Sequence, residues 1–178
     1  MEIHFTKLTE ATREVAQTLE RWENDPGLVP FARPNRNQAD LDRREPLTVE
    51  DLNQRLKHNQ IYLISLDGEM IGEISYQVDP GYLLKKEAGT AWIGITIGEE
   101  KGRGKGIGYQ AMQYLEEQIK LQGLKRIELG VFDFNTNAIK LYQKSGFVEI
   151  GRINEFSYYQ GRLWQDIRME KYIACDQP

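Results

Sequence analysis

The sequence predicts a mixed α/β (α+β) fold in a single domain, with a central mixed, mostly antiparallel sheet and helices on both faces. Three observations predict it. At 178 residues the chain can bury one substantial core, whereas two domains would each be unusually small. Between Ile61 and Ile97 apolar residues recur with a period of two, as strands require. Around "GRGKGIG", residues 102–108, the pattern becomes strand, turn, helix, strand, helix, and a last hairpin follows.

Each element has its own local cause. A short strand is expected near Ile3–Lys7. Ala11, Val15, Leu19 and Trp22 recur at helical spacing, and Asp25-Pro26-Gly27 stops that helix. Residues 26–47 carry Pro, Asn, Arg and Asp without periodicity, a loop of a length that often covers a site. "TVED", Thr48–Asp51, reads as a capping box ahead of a short helix. Two strand-like runs flank Asp67-Gly68, a hairpin signal. Ala91–Ile97 is the strand that leads into the glycines. Ile107, Ala111, Met112, Leu115 and Ile119 mark a helix of about four turns that stops near Gly123. "KRIELGVF" is a strand, "NAIKLYQKSGF" a helix closed by Gly146, and "SYYQGRLWQDIRME" a hairpin turning at Gln160-Gly161. The domain spans residues 1–173, with 174–178 a short tail.

Composition narrows the function classes. The chain is 40% hydrophobic and 28% charged, with a net charge of −4, so nothing global points to nucleic acid. The single cysteine, Cys175, cannot form an internal disulfide, which suits a reducing, cytoplasmic setting. No apolar run has the length of a signal-peptide core or a membrane span, so no membrane is expected as a partner. With only His4 and His58 beside that one cysteine, a metal site or a Cys/His nucleophile is not expected.

The glycine stretch carries the chemistry. A P-loop would need a hydroxyl after its lysine, but Lys105 is followed by Gly106 and Lys101 by Gly102. The dinucleotide fingerprint would need a third glycine at Ile107 or Tyr109. What is left is a strand, a glycine-rich turn and a helix N-terminus, where free amides and the helix dipole favour an anion. Arg103 and Lys105 add positive charge at the same place. A solvated turn with incidental basic residues is the competing reading.

"RGKGIG", Arg103–Gly108, resembles the Arg/Gln-x-x-Gly-x-Gly/Ala acetyl-coenzyme A signature of the GCN5-related N-acetyltransferases (GNAT). "NTNAIKLYQKSGF", Asn135–Phe147, resembles that family's second signature, in the expected order and at the expected distance. The likeness covers roughly residues 60–170. "LERWENDPG" looks like the opening of the branch that contains ribosomal-protein N-terminal and small-amine acetyltransferases.

The resemblance implies acetyl-CoA as cosubstrate, with no metal and no covalent enzyme intermediate. It implies that the coenzyme pyrophosphate rests on the backbone of Arg103, Gly104, Lys105, Gly106, Ile107 and Gly108. The pantetheine arm would enter a splay between Ala91–Ile97 and Arg126–Phe132, bonded to main chain near Ile95 and Ile97 and held by Asn135. Tyr142 falls at the general-acid position, with core packing as its plainer role, and a main-chain N–H near Ile97 would stabilise the oxyanion. The carry-over breaks at the base: where the ribosomal branch has a Glu, this chain has Gly130. Glu128, on the same strand face, and Glu73, on the hairpin, are the candidate substitutes, as is a water chain to solvent.

The expected activity is direct transfer of an acetyl group to a primary amine, with a polyamine, an aminoglycoside or a protein N-terminus as acceptor. A non-catalytic acyl-CoA binding or sensing module on the same fold is the rival from another class. Aromatic residues expected at the surface of the last hairpin offer a face for a homodimer.

Overall fold

The computed structural model describes residues 1–174. Cys175 and all but the first residue of the expected tail lie outside the described residues. Seven strands form one sheet: β1 (Ile3–Lys7), β2 (Gln60–Leu66), β3 (Glu69–Val78), β4 (Thr90–Ile97), β5 (Arg126–Phe132), β6 (Val148–Tyr159) and β7 (Arg162–Tyr172). Their order is β1-β2-β3-β4-β5-β7-β6. Every pairing between neighbours in that order is antiparallel except β4–β5, so the mixed, mostly antiparallel sheet is as expected. The β2–β3 turn is made by Asp67 and Gly68, both at positive φ (49° and 83°), the conformation that matches the twist of a two-residue hairpin.

Six helices cover the two faces: α1 (Arg13–Glu23), α2 (Val29–Ala32), α3 (Gln38–Asp42), α4 (Val49–Leu56), α5 (Ile107–Leu121) and α6 (Thr136–Lys144). On one face α5 lays Ile107, Ala111, Leu115 and Ile119 on Ile93, Ile127 and Leu129 of the sheet, and α6 adds Tyr142. On the other face α1 and α4 pack Leu19, Trp22 and Leu52 on Ile61 of β2. The capping box that starts α4 is present, with Thr48 and Asp51 satisfying each other's amides.

The segment 26–47 is more regular than its composition suggests. Pro30 starts α2, and the Asn37 side chain accepts from the Asp40 amide at 3.0 Å to start α3. Helices of four and five residues are too short to display a period, so the sequence pattern could not reveal them. Asn35 pins the segment to β6, its carbonyl accepting from Tyr158 N at 2.6 Å and its amide donating to Ser157 Oγ at 3.0 Å. There β6 breaks register between Ile153 and Ser157, with Glu155 at φ 50°.

Candidate active site

β4 and β5 pair over three residue pairs, Thr90↔Arg126, Ala91↔Ile127 and Trp92↔Glu128, and then part. From Ile93 to Ile97 the β5-facing edge of β4 has no ladder partner among the described residues, so main-chain polar groups of a central strand lack a strand partner beside a gap. Ile95 and Ile97 are half-buried along this edge.

The chain turns from β4 into α5 through the glycine stretch, and its glycines have two distinct causes. Gly104 and Gly106 sit at φ 70° and 75°, the left-handed region that side chains disfavour, and Gly106 is the N-cap of α5. Gly102 and Gly108 are there for close approach: a β-carbon would lie 2.8 Å from Ile71 Cδ1 at the first and 3.2 Å from Leu141 Cδ2 at the second. No side chain caps α5 and its first turn holds no acidic residue. The amides of Ile107, Gly108 and Tyr109 therefore converge unsatisfied at the positive end of a 15-residue helix.

The two basic residues do different things. Arg103 folds back along the chain, donating from Nη2 to Gly98 O at 3.1 Å and from Nε to Ile97 O at 3.3 Å. Lys105 is exposed and makes no ion pair among the described residues, so it is the cation facing outward from the turn. Behind the turn stands a residue group that sequence reading did not assemble. Trp22 donates from Nε1 to Glu99 Oε1 at 2.9 Å, Arg21 donates to the same oxygen at 2.5 Å, and the indole packs on Gly98. These contacts tie α1 to the point where β4 enters the turn.

Asn135 is the N-cap of α6, its side chain accepting from Ala138 N at 3.3 Å. Tyr142, about two turns on, is buried on α6 with its ring edge-on to Phe147. Its hydroxyl has no protein hydrogen bond among the described residues, and burial pushes the phenol up to about 12. The neutral, proton-bearing form is thus the one the site favours.

The two carboxylates singled out from the sequence have opposite surroundings. Glu128 is fully buried and fully engaged: Arg126 donates to Oε1 at 2.6 Å, the amides of Leu84 and Lys85 donate at 2.7 and 3.1 Å, and Arg168 lies 3.5 Å from Oε2. A carboxylate held by two guanidinium groups and two amides has both of its oxygens engaged in structure. Glu128, one of the two candidate bases, is thus an ion-paired carboxylate, because the loop of residues 79–89 covers that part of the sheet. Glu73 lies on β3 beside Thr96 of β4, and its side chain makes no hydrogen bond among the described residues. Burial pushes its carboxyl up to about 7, against the pull of Arg55 and with a further push from Glu23. Arg55 and Glu23 are themselves paired, Nη1 to Oε1 at 2.5 Å and Nη2 to Oε2 at 3.2 Å.

At the β6–β7 tip Tyr159 and Trp164 pack on Phe134, at centroid distances of 4.7 and 5.4 Å, and Phe31 of α2 closes over Phe134 at 5.5 Å. These hairpin aromatics, expected at the surface as a dimer face, are half-buried in their own cluster. Among the described residues no group of three or more His, Cys, Asp or Glu is arranged to hold a metal ion, and no helix is long and apolar enough to cross a membrane.

The family model described as Acetyltransferase (GNAT) family matches residues 16–147. A spermine/spermidine N(1)-acetyltransferase of Bacillus subtilis is 32% identical over 89 residues, 49% of this chain and 59% of that protein. The chain thus matches little more than half the length of this curated relative. Two solved structures share the fold, each with a TM-score of 0.73. A ribosomal-protein-alanine N-acetyltransferase from Brucella melitensis is 19% identical, covering 97% of this chain and 100% of its own. A spermidine N-acetyltransferase from Vibrio cholerae, in complex with CoA and spermine, is 17% identical, covering 96% and 95%.

Proposed function

Because this chain belongs to the acetyltransferase (GNAT) family, we propose that it is an acetyl-CoA-dependent N-acetyltransferase that moves the acetyl group directly to a primary amine. One observation carries the proposal: β4, whose edge toward β5 is open beyond Trp92, leads through the glycine turn straight into the uncapped N-terminus of α5. The residues present fit the coenzyme. The amides of Ile107, Gly108 and Tyr109 suit a pyrophosphate, Gly104 and Gly106 let the backbone approach it, and Lys105 supplies countercharge. The edge of β4 at Ile95 and at the Ile97 amide, which has no strand partner, suits the amide groups of a pantetheine arm, and Asn135 keeps its side-chain NH2 free for the same purpose. Arg103 contributes by holding the end of β4, through the carbonyls of Ile97 and Gly98.

The coenzyme supplies an acetyl group activated as a thioester. Tyr142 gives its hydroxyl proton to the departing sulfur. A buried phenol near 12 is a weak acid for a thiolate near 8.5, but the same dry surroundings raise the thiolate as well, which narrows the gap. Glu73 takes the amine proton. With its carboxyl near 7 it is ionised at mildly alkaline pH yet basic enough to accept, and it has no hydrogen bond that would compete. The balance is then one N–C bond formed, one C–S bond broken, one proton lost by nitrogen and one gained by sulfur.

The acceptor is a small amine, with polyamines and aminoglycosides ahead of a protein N-terminus, because the chain's net charge of −4 favours a cationic acceptor. Thiol release from acetyl-CoA, measured across polyamines, aminoglycosides, amino acids and short peptides, tests the proposal. Amine-dependent release with one class supports it. Coenzyme binding without release under any amine would instead favour the acyl-CoA binding module.

A further inference from the structure

The sheet has a hole in its side-chain cover at the apex of the β4–β5 gap. The last paired residues, Trp92 and Glu128, point to the face opposite α5, and the next residues on that face are Gly94 and Gly130. Both lack a side chain, and they flank the gap on its two sides. Gly94 is exposed although β4 is a central strand, and Gly130 is the one residue of β5 that is not fully buried. The backbone at Gly94 is therefore open to a molecule arriving from this face, opposite α5 and α6, while the space over Gly130 is taken by Asp166 and Trp92.

One carboxylate stands over this window. Asp166 of β7 lies so close to Gly130 that a β-carbon there would be 2.7 Å from Oδ2 and 3.1 Å from Oδ1, with Trp92 Cη2 also at 3.1 Å. Asp166 is only 2% exposed. Arg168 Nε donates to Oδ2 at 2.7 Å, while Oδ1 has no hydrogen-bond donor among the described residues. Arg168 is itself fixed by Tyr82 O at 2.9 Å and by the Trp92 ring at 4.8 Å, so the carboxylate is held with one oxygen used and one left over. Oδ1 keeps contact with solvent, so a donor on a ligand can reach it. Phe132 lies beside Asp166 across the β5–β7 pairing, with Phe156 6.1 Å from it, and Ser75 borders Gly94 at 3.5 Å from its β-carbon position. The surroundings of the unused oxygen are thus mostly apolar and aromatic.

We propose that Asp166 Oδ1 accepts a hydrogen bond from the acceptor's amino group and holds that nitrogen over the Gly94/Gly130 window. The inference rests on the acetyltransferase reading and adds to it the residue that positions the acceptor and its side of entry. The amine enters from the α1/α4 face, between Trp92, Phe132 and Ser75, and its nitrogen reaches the gap from the face opposite Tyr142. The site selects a primary amine on a slender substituent, since a donor is needed at Oδ1 and the aromatic walls leave room for little else near the nitrogen.

The test compares wild type, Asp166→Asn and Gly130→Ala, using the amine that the wild type acetylates fastest. In Asp166→Asn the amide oxygen serves Arg168 and the NH2 faces the window, so the amine KM rises at least tenfold while the Kd for CoA, by calorimetry, stays within twofold. Gly130→Ala places a methyl group against Asp166 and pushes its carboxylate off position, so amine turnover falls at least tenfold with CoA binding retained. It also keeps the inference testable should Asp166→Asn fail to fold. Wild-type turnover together with an unchanged amine KM in the folded variants overturns this inference alone. No amine-dependent thiol release by the wild type overturns the transferase reading and this inference with it.

Discussion

The indole of Trp22 occupies the space that a β-carbon on Gly98 would need. Through this contact α1 sets the exit of β4 into the glycine turn, and the hydrogen bond from Trp22 to Glu99 fixes the next residue as well. Gly98→Ala must displace the ring or the backbone, an overpacking that costs roughly 1–3 kcal/mol. A melting temperature lower by about 2–12 °C is expected for a chain of this size, together with weaker CoA binding. A thermal melt within a degree of wild type would show that the ring is not fixed.

Tyr142 should matter for the rate more than for the fold. Its hydroxyl has no protein hydrogen bond among the described residues, so Tyr142→Phe removes a proton donor without leaving a partner unpaired. A fall in kcat of at least tenfold is expected, with KM for acetyl-CoA within twofold and the melting temperature within about 3 °C. Steady-state thiol release reads the first two quantities, and an unchanged kcat would remove the acid role.

Glu73 links activity and stability to pH with a definite sign. Its folded carboxyl lies near 7, above the ordinary 4.5, so between those values the folded protein holds a proton that the unfolded chain has released. Its contribution therefore lowers stability as pH rises from about 4.5 to about 7. Glu73→Gln should remove that loss and raise stability at pH 8 by on the order of 2 kcal/mol, measured by urea unfolding at pH 5 and pH 8. In the wild type kcat/KM should rise with pH through a limb near 7, and the variant should lose both the limb and most of its activity. A variant that kept the limb would place the titrating group elsewhere.

Glu128 should behave in the opposite way. Glu128→Gln leaves Arg126 and Arg168 with less countercharge in a dry part of the sheet, a change that costs about 3–5 kcal/mol. The fraction that remains folded at low temperature should retain kcat and its pH dependence. Loss of kcat without loss of stability would return Glu128 to the chemistry.

Much of this was legible in the sequence. The period-two runs, Asp67-Gly68, the capping box and the "GRGKGIG" stretch each gave the element now seen, because each has a cause within a few residues. The competition between phosphate motifs could be narrowed from the spacing of Gly102, Gly104 and Lys105 alone. What stayed hidden depends on distant chain. Asp166, Arg168 and Glu170 alternate with Ile167 and Met169, a pattern that reads as a solvated strand face. The face is buried because the amides of Leu84 and Lys85, more than forty positions from Glu128, fold onto it. Gly130 likewise read as a missing carboxylate, since only the β5–β7 pairing brings Asp166 against it. Gly98 gave no hint of Trp22, which is 76 positions away.

The most direct test of the central claim is amide chemical-shift mapping of the 15N-labelled protein with CoA. The account predicts the largest changes at Ile107, Gly108 and Tyr109 and along Ile93–Ile97, with smaller ones at Val131–Asn135 and little change on α4 or β1. Shifts centred elsewhere, or none at saturating CoA, would contradict a coenzyme seated between β4 and β5 at the head of α5.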